Sequence, residues 1–191
     1  MTDEARALAQ QEVAFCEQVL AKGGASVLSE TLKGVDEPES WTKYPAGEVF
    51  DPATGAHWFY HSHSTIPHEH GHFHMFLRPN GKDGPIHHLI AIGVDGHGRP
   101  LRLFTVNQWV VDDDWLDAQS TVALVEKFDV HMPQPNYLVN RWLTAMVVAH
   151  GDVVAGLILE RDNSLQTYAS SIAGDVRSDR SLEVTSQVSL R

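Results

Sequence analysis

Residues 61–76, HSHSTIPHEHGHFHMF, place six histidines and one acid in sixteen positions. Near neutral pH an imidazole can move protons, make hydrogen bonds or, in its neutral form, coordinate a metal ion. These histidines are internal and alternate with other residues, unlike the terminal adjacent run of a purification tag. Alternation sends side chains two positions apart to the same face of a strand.

A hairpin with a six-residue loop, Ser64 to Glu69, sets His63 opposite His70, His61 opposite His72, Phe59 opposite His74 and His57 opposite Phe76. Trp58, Tyr60, Phe73, Met75 and Leu77 then share the other face. A slip of one residue would mix the two sets and bury polar groups, so the pattern itself selects the register. Opposed side chains have Cβ atoms roughly 4.5–5.5 Å apart. Imidazoles of His61, His63, His70, His72 and His74 are therefore the candidate ligands, three or four of which are expected to hold one divalent transition ion at about 2.0–2.1 Å each. Glu69, in the connecting loop, is the candidate general base or additional ligand, with a solvated loop acid as the plainer alternative. His57 reads equally as a further ligand or as a rim residue.

Carried through a turn at NGKDG, the same alternation brings His88, Ile90, Ile92 and Val94 beside the histidines. Carried through DGHG, it adds Leu101, Leu103, Thr105, Asn107 and Trp109. Thr105 and Asn107 are the polar groups expected next to the cofactor, inside an aliphatic wall. His87 reads as a core or edge histidine, His97 as a turn residue, and His150 as a helix-end residue suited to the C-terminal dipole. Asp112, Asp113 and Asp114 read as a solvated approach to a helix.

The elements that must position this patch are α+β in kind. Residues 3–22 form an amphipathic helix stopped by Gly23-Gly24, and 25–33 a second short one. Strand-like runs follow at 47–50, 57–63, 70–77, 86–94 and 101–111, parted by turn chemistry in DPATG, STIPHE, RPNGKDGP and DGHGRP. Links this short make neighbouring strands antiparallel. The expectation is a meander of four to five strands packed by N-terminal and C-terminal helices. Beyond Trp115 the pattern is helical to about 172: Ser120 and Asn136 are cap candidates, and 153–160 is read as helix. We divide one domain, 1–191, into helices (1–34), histidine-rich sheet (44–111), helical part (116–172) and polar tail (175–191).

Composition narrows the function. The chain has 191 residues, 42% hydrophobic and 20% charged, as in an ordinary globular domain. A formal net charge of -11 repels phosphate backbones, which argues against nucleic acid. With no apolar run of about 20 residues and a polar start, MTDEARALAQQ, no membrane partner is expected and the cytoplasm is the expected location. The single cysteine, Cys16, leaves no internal disulfide and no thiolate-rich site, and reads as a buried structural thiol. Any metal must use nitrogen and oxygen ligands, which suits Fe, Zn, Mn, Ni or Cu.

The stretch GAHWFYHSHSTIPHEHGHFHMFLRPNG partly resembles the first cupin motif, with Gly55, His61, His63 and Glu69 near the expected order. It departs in the five residues between His63 and Glu69 and in the following glycine, and no second cupin motif follows Gly84. The likeness implies only that histidines on strands can hold a metal. The block EHGHFHMF is similar to one in an uncharacterised bacterial family, over residues 44–160, and implies no activity.

The functional expectation is a mononuclear metalloenzyme acting on a small molecule, by Fe(II) oxygen chemistry or Zn-type water activation. The rival is metal storage, buffering or sensing, for which surplus histidines would be the signature. A third reading has the histidines hydrogen-bonding an organic ligand without metal. The oligomeric state is not legible.

Overall fold

The computed structural model describes residues 2–63 and 66–190. Helix α1 (Asp3–Lys22) begins where the Thr2 side chain accepts from the Ala5 backbone N–H, carries Asp3 and Glu4 in its first turn, and ends at Gly23. Its buried stripe is Ala9, Cys16 and Leu20, whereas Leu8 and Phe15 are exposed. The short α2 (Val27–Thr31) starts in a reciprocal Ser26–Ser29 capping box.

Strands β1 (Lys43–Phe50), β2 (Ala56–His61), β3 (Gly71–Leu77), β4 (His87–Val94), β5 (Pro100–Val106) and β6 (Val184–Ser189) form one antiparallel sheet in chain order. The meander is therefore six strands rather than four to five. The sixth comes from the region expected to be a polar tail. Residues 107–111, expected to extend the fifth strand, instead form a one-turn helix α3 (Gln108–Val111) capped by the Asn107 side chain. The helical part comprises α4 (Ala118–Val125), α5 (Tyr137–Ala149) and α6 (Gly151–Ala169). Asn136 caps α5 as expected, but α4 is capped by Asp117, whose carboxylate accepts from the Ser120 N–H at 2.8 Å.

The helices cover one face of the sheet. Trp58, Tyr60, Phe73, Met75, Ile90, Ile92 and Leu103 join Trp142, Leu143, Val154 and Ile158 in one apolar core. Burying each such side chain contributes about 1.5–3 kcal/mol, so this set decides which way the strands face. Among the described residues no single helix is long and apolar enough to cross a membrane. The pair α5 and α6 passes only when taken together, is bent by 72° and supplies much of the core.

The opposite face carries the histidines, and bulges bend the strands that bear it. Register shifts occur between β1 and β2, β3 and β4, β4 and β5, and β5 and β6. Trp41, just before β1, lines the same cavity as Val184 and Gln187 of β6. The segment leading into β1 thus meets β6 across a cavity on the histidine face.

Candidate metal centre

The β2–β3 hairpin has the register predicted from its alternation: His57 pairs with Phe76, Phe59 with His74 and His61 with His72. His61, His72 and His74 are buried on one face, with one ring nitrogen of each lying within 4.8 Å of the others. Two ligands of one ion are at most two bond lengths apart, about 4.2 Å. Small ring rotations therefore suffice to seat an ion.

Each imidazole is set up differently. In His61 neither ring nitrogen has a hydrogen-bond partner, although both are buried. In His72, Nδ1 lies 3.3 Å from Glu69 Oε1. An ionised carboxylate only accepts, so Nδ1 carries the hydrogen and Nε2 presents its lone pair. In His74, Nδ1 meets His88 Nε2 at 3.1 Å while its buried Nε2 has no partner. A carboxylate that accepts from the second nitrogen of a ligating histidine, as Glu69 does for His72, is a usual outer support of a metal site.

Glu69 is itself clamped. Arg102 donates from Nε to Oε2 at 2.7 Å and from Nη2 to Oε1 at 3.0 Å. Burial alone would raise this carboxyl, but the hydrogen bonds from His72 and Arg102 and the guanidinium charge outweigh it and bring the pKa down to about 2. A Cβ on Gly93 would lie 2.4 Å from Glu69 Oε2, so only glycine leaves room for the carboxylate. The histidines move the same way for another reason. Burial, reinforced by neighbouring imidazoles, lowers His61 to about 3, His63 to about 4 and His74 well below the ordinary value. Burial and the charge of Arg161 bring His88 to about 3. Neutral imidazole is the coordinating form.

Of the other expected histidines, His63 stands beside the cluster, and His70 and His57 are turned to other partners. His63 follows the end of β2, half-buried and stacked on Trp41 at 3.8 Å, with its ring centroid 4.9 Å from His72 and 5.5 Å from His61. His70 does not face the cluster: β2 stops at His61, the last rung is not formed, and the His70 ring turns to the Tyr60 hydroxyl at 2.6 Å. His57 is held between Glu48 and Arg78 Nε, which donates to its Nδ1 at 3.1 Å. Glu69, as a general base, is poorly placed because both its oxygens are engaged.

The onward register changes at a bulge. Met75 pairs with Ile90 but Phe76 with His88, so Leu89 is the extra residue. His88 keeps its place beside the histidines, while Ile90, Ile92 and Val94 turn to the helix-covered core. The parity of β5 follows: Phe104 pairs with Ala91 and Arg102 with Gly93. The wall is therefore Arg102 and Phe104, not Leu101, Leu103 and Thr105. Thr105 bonds Thr185 and Ser186 at 2.8 and 2.6 Å, and Asn107 donates to the carbonyls of Val176 and Leu182. Both stand outside the site because the bulge reversed the face. Arg102 and Trp41 were the residues missed. Asp113 is not solvated either: it is buried and accepts from the His88 backbone N–H at 2.9 Å.

Residues 7–190 match a family described as a domain of unknown function, DUF6969. No curated protein and no solved structure matches the chain.

Proposed function

The chain belongs to DUF6969, whose description names no activity, and from the site alone we propose that it binds one divalent transition metal through His61, His72 and His74 and acts on a small molecule there. The carrying observation is the set of buried, unpartnered nitrogens: both of His61 and Nε2 of His74. A buried polar atom left unsatisfied costs about 1–3 kcal/mol. Coordination would use one nitrogen of His61 and Nε2 of His74, with the lone pair on His72 Nε2 as the third.

Three protein nitrogens and no sulfur leave room for water or substrate, as catalytic sites require. Zn would supply an activated water, and Fe(II) with an open position would supply oxygen chemistry. The chain's own residues do the positioning: Glu69 and Arg102 fix His72, His88 fixes His74, and His63 stands at the open side as a further nitrogen. Glu69 acts through His72 rather than as a base. Storage or buffering fits less well, because His57, His70 and His88 are committed to Glu48 and Arg78, Tyr60 and His74. Of the surplus ligands that reading requires, His63 alone stands uncommitted beside the cluster among the described residues.

Elemental analysis of untagged protein should give one ion per chain. A hundredfold excess of metal over Kd stabilises by about 2.7 kcal/mol, worth roughly 5–10 °C in Tm for a chain of this size. His72→Ala should remove most of that rise, and His97→Ala should leave it intact. If metal-loaded protein melts unchanged after chelation, the reading fails and the histidines serve an organic ligand instead.

A further inference from the structure

A cavity of about 170 Å3 opens on one side of the histidine cluster. His63, His72, Arg102 and Phe104 line it, with Trp41 and Glu183 on its other walls. His72 is 5% exposed and Trp41 62%, so the histidine marks the deep end and the indole the mouth. An outer cleft of about 600 Å3 shares Ile66, Arg102 and Gln187 with this chamber and leads to solvent.

We propose that this cavity binds a planar, uncharged, single-ring molecule bearing a hydroxyl group, of the phenol class, with its oxygen towards the metal beside His72. The assignment rests on the metal reading above for that oxygen's role, and on the cavity for size, shape and charge. The size is that of one ring: a cavity of roughly 150 Å3 lined by apolar groups is enough for benzene. The shape comes from flat walls, the Trp41–His63 stack and Phe104, against which aromatic rings gain more than their buried area alone provides.

The charge preference follows from how Arg102 is used. Its Nε and Nη2 are taken by Glu69, its Nη1 donates to Gln187 at 2.8 Å, and its guanidinium lies 3.9 Å over the Phe104 ring. Its positive charge is cancelled at contact by Glu69. Glu183, exposed on the cavity wall, and a net charge of -11 oppose carboxylates at the entrance, which leaves the ion itself as the uncancelled positive charge that could draw them in.

The test is titration calorimetry of the full chain, reconstituted with one metal ion, against phenol, cyclohexanol and benzoate. Metal per chain is measured on the same samples. Phenol should bind at least tenfold more tightly than the non-planar alcohol or the anion. Trp41→Ala, at an exposed position, should weaken phenol about tenfold while keeping its metal. Equal affinities for the three probes, no phenol binding, or no loss in Trp41→Ala would overturn the assignment. A chain that holds no metal yet still prefers phenol would sink the metal reading and sustain the cavity's ligand class.

Discussion

At the scale of single residues, the chemistry is decided by what each imidazole's second nitrogen touches. The same residue type, on the same two strands, has two unpartnered nitrogens at His61, an oriented ring at His72 and a committed one at His57. Spacing could reveal which histidines share a face, since alternation is a property of neighbours in sequence. It could not reveal that Arg102 would cross to Glu69, because that contact joins residues 33 apart. Glu48 shows the same logic away from the cluster. Burial would raise its carboxyl, but His57 and Lys43 outweigh that and bring it down to about 2. A carboxyl depressed on folding stabilises above its unfolded pKa and loses that contribution as pH falls towards the folded one. Glu48→Gln should therefore be less stable than the parent at pH 7. The gap should shrink as pH falls from about 4.5 towards 2, as measured by urea unfolding at each pH.

At the scale of elements, the first hairpin was legible because two constraints agree there: its polar and apolar faces are cleanly separated. The β3–β4 step was not. Leu89 suits either face, so nothing in its chemistry announces a bulge, and one extra residue reverses every later assignment. Strand β6 was hidden for a simpler reason: VTSQVS lacks the apolar alternation of a core strand, and its pairing to β5 supplies what its side chains do not. The N-terminal helix was legible in extent, and Cys16 lies inward as expected, while Leu8 and Phe15 are exposed. Burial, then Glu12, push the Cys16 thiol up to about 11. Native protein should thus resist alkylation at pH 8, whereas protein in denaturant should label readily, by mass spectrometry. Rapid native labelling would mean α1 does not pack along α5.

At the scale of the whole molecule, the sheet divides two tasks between its faces. The helix-covered face supplies stability through its apolar core, which frees the inner face to carry groups that are costly to bury. Strand β6 and α6 tie the two together. Ser186 donates to the Leu157 carbonyl at 2.7 Å and meets Thr105 at 2.6 Å, both inside the fold. Ser186→Val would remove two buried hydrogen bonds, each worth about 0.5–1.5 kcal/mol net, and should cost about 1–3 kcal/mol in urea unfolding. Metal per chain should stay at the parent value, since the ligands lie on β2 and β3. A matching loss of metal would show that the two faces are not separable.

The pairing of β5 with β6 spans 81 residues between Thr105 and Ser186, whereas the strands that carry the ligands are joined by short turns. Contacts between near neighbours form before distant ones, because closing a long loop costs chain entropy first. The histidine hairpin is thus an early event and the cavity wall a late one. During that interval His61, His72 and His74 stand open on a half-built sheet. If those histidines hold an ion as proposed, it can reach them before β6 closes that side of the cavity.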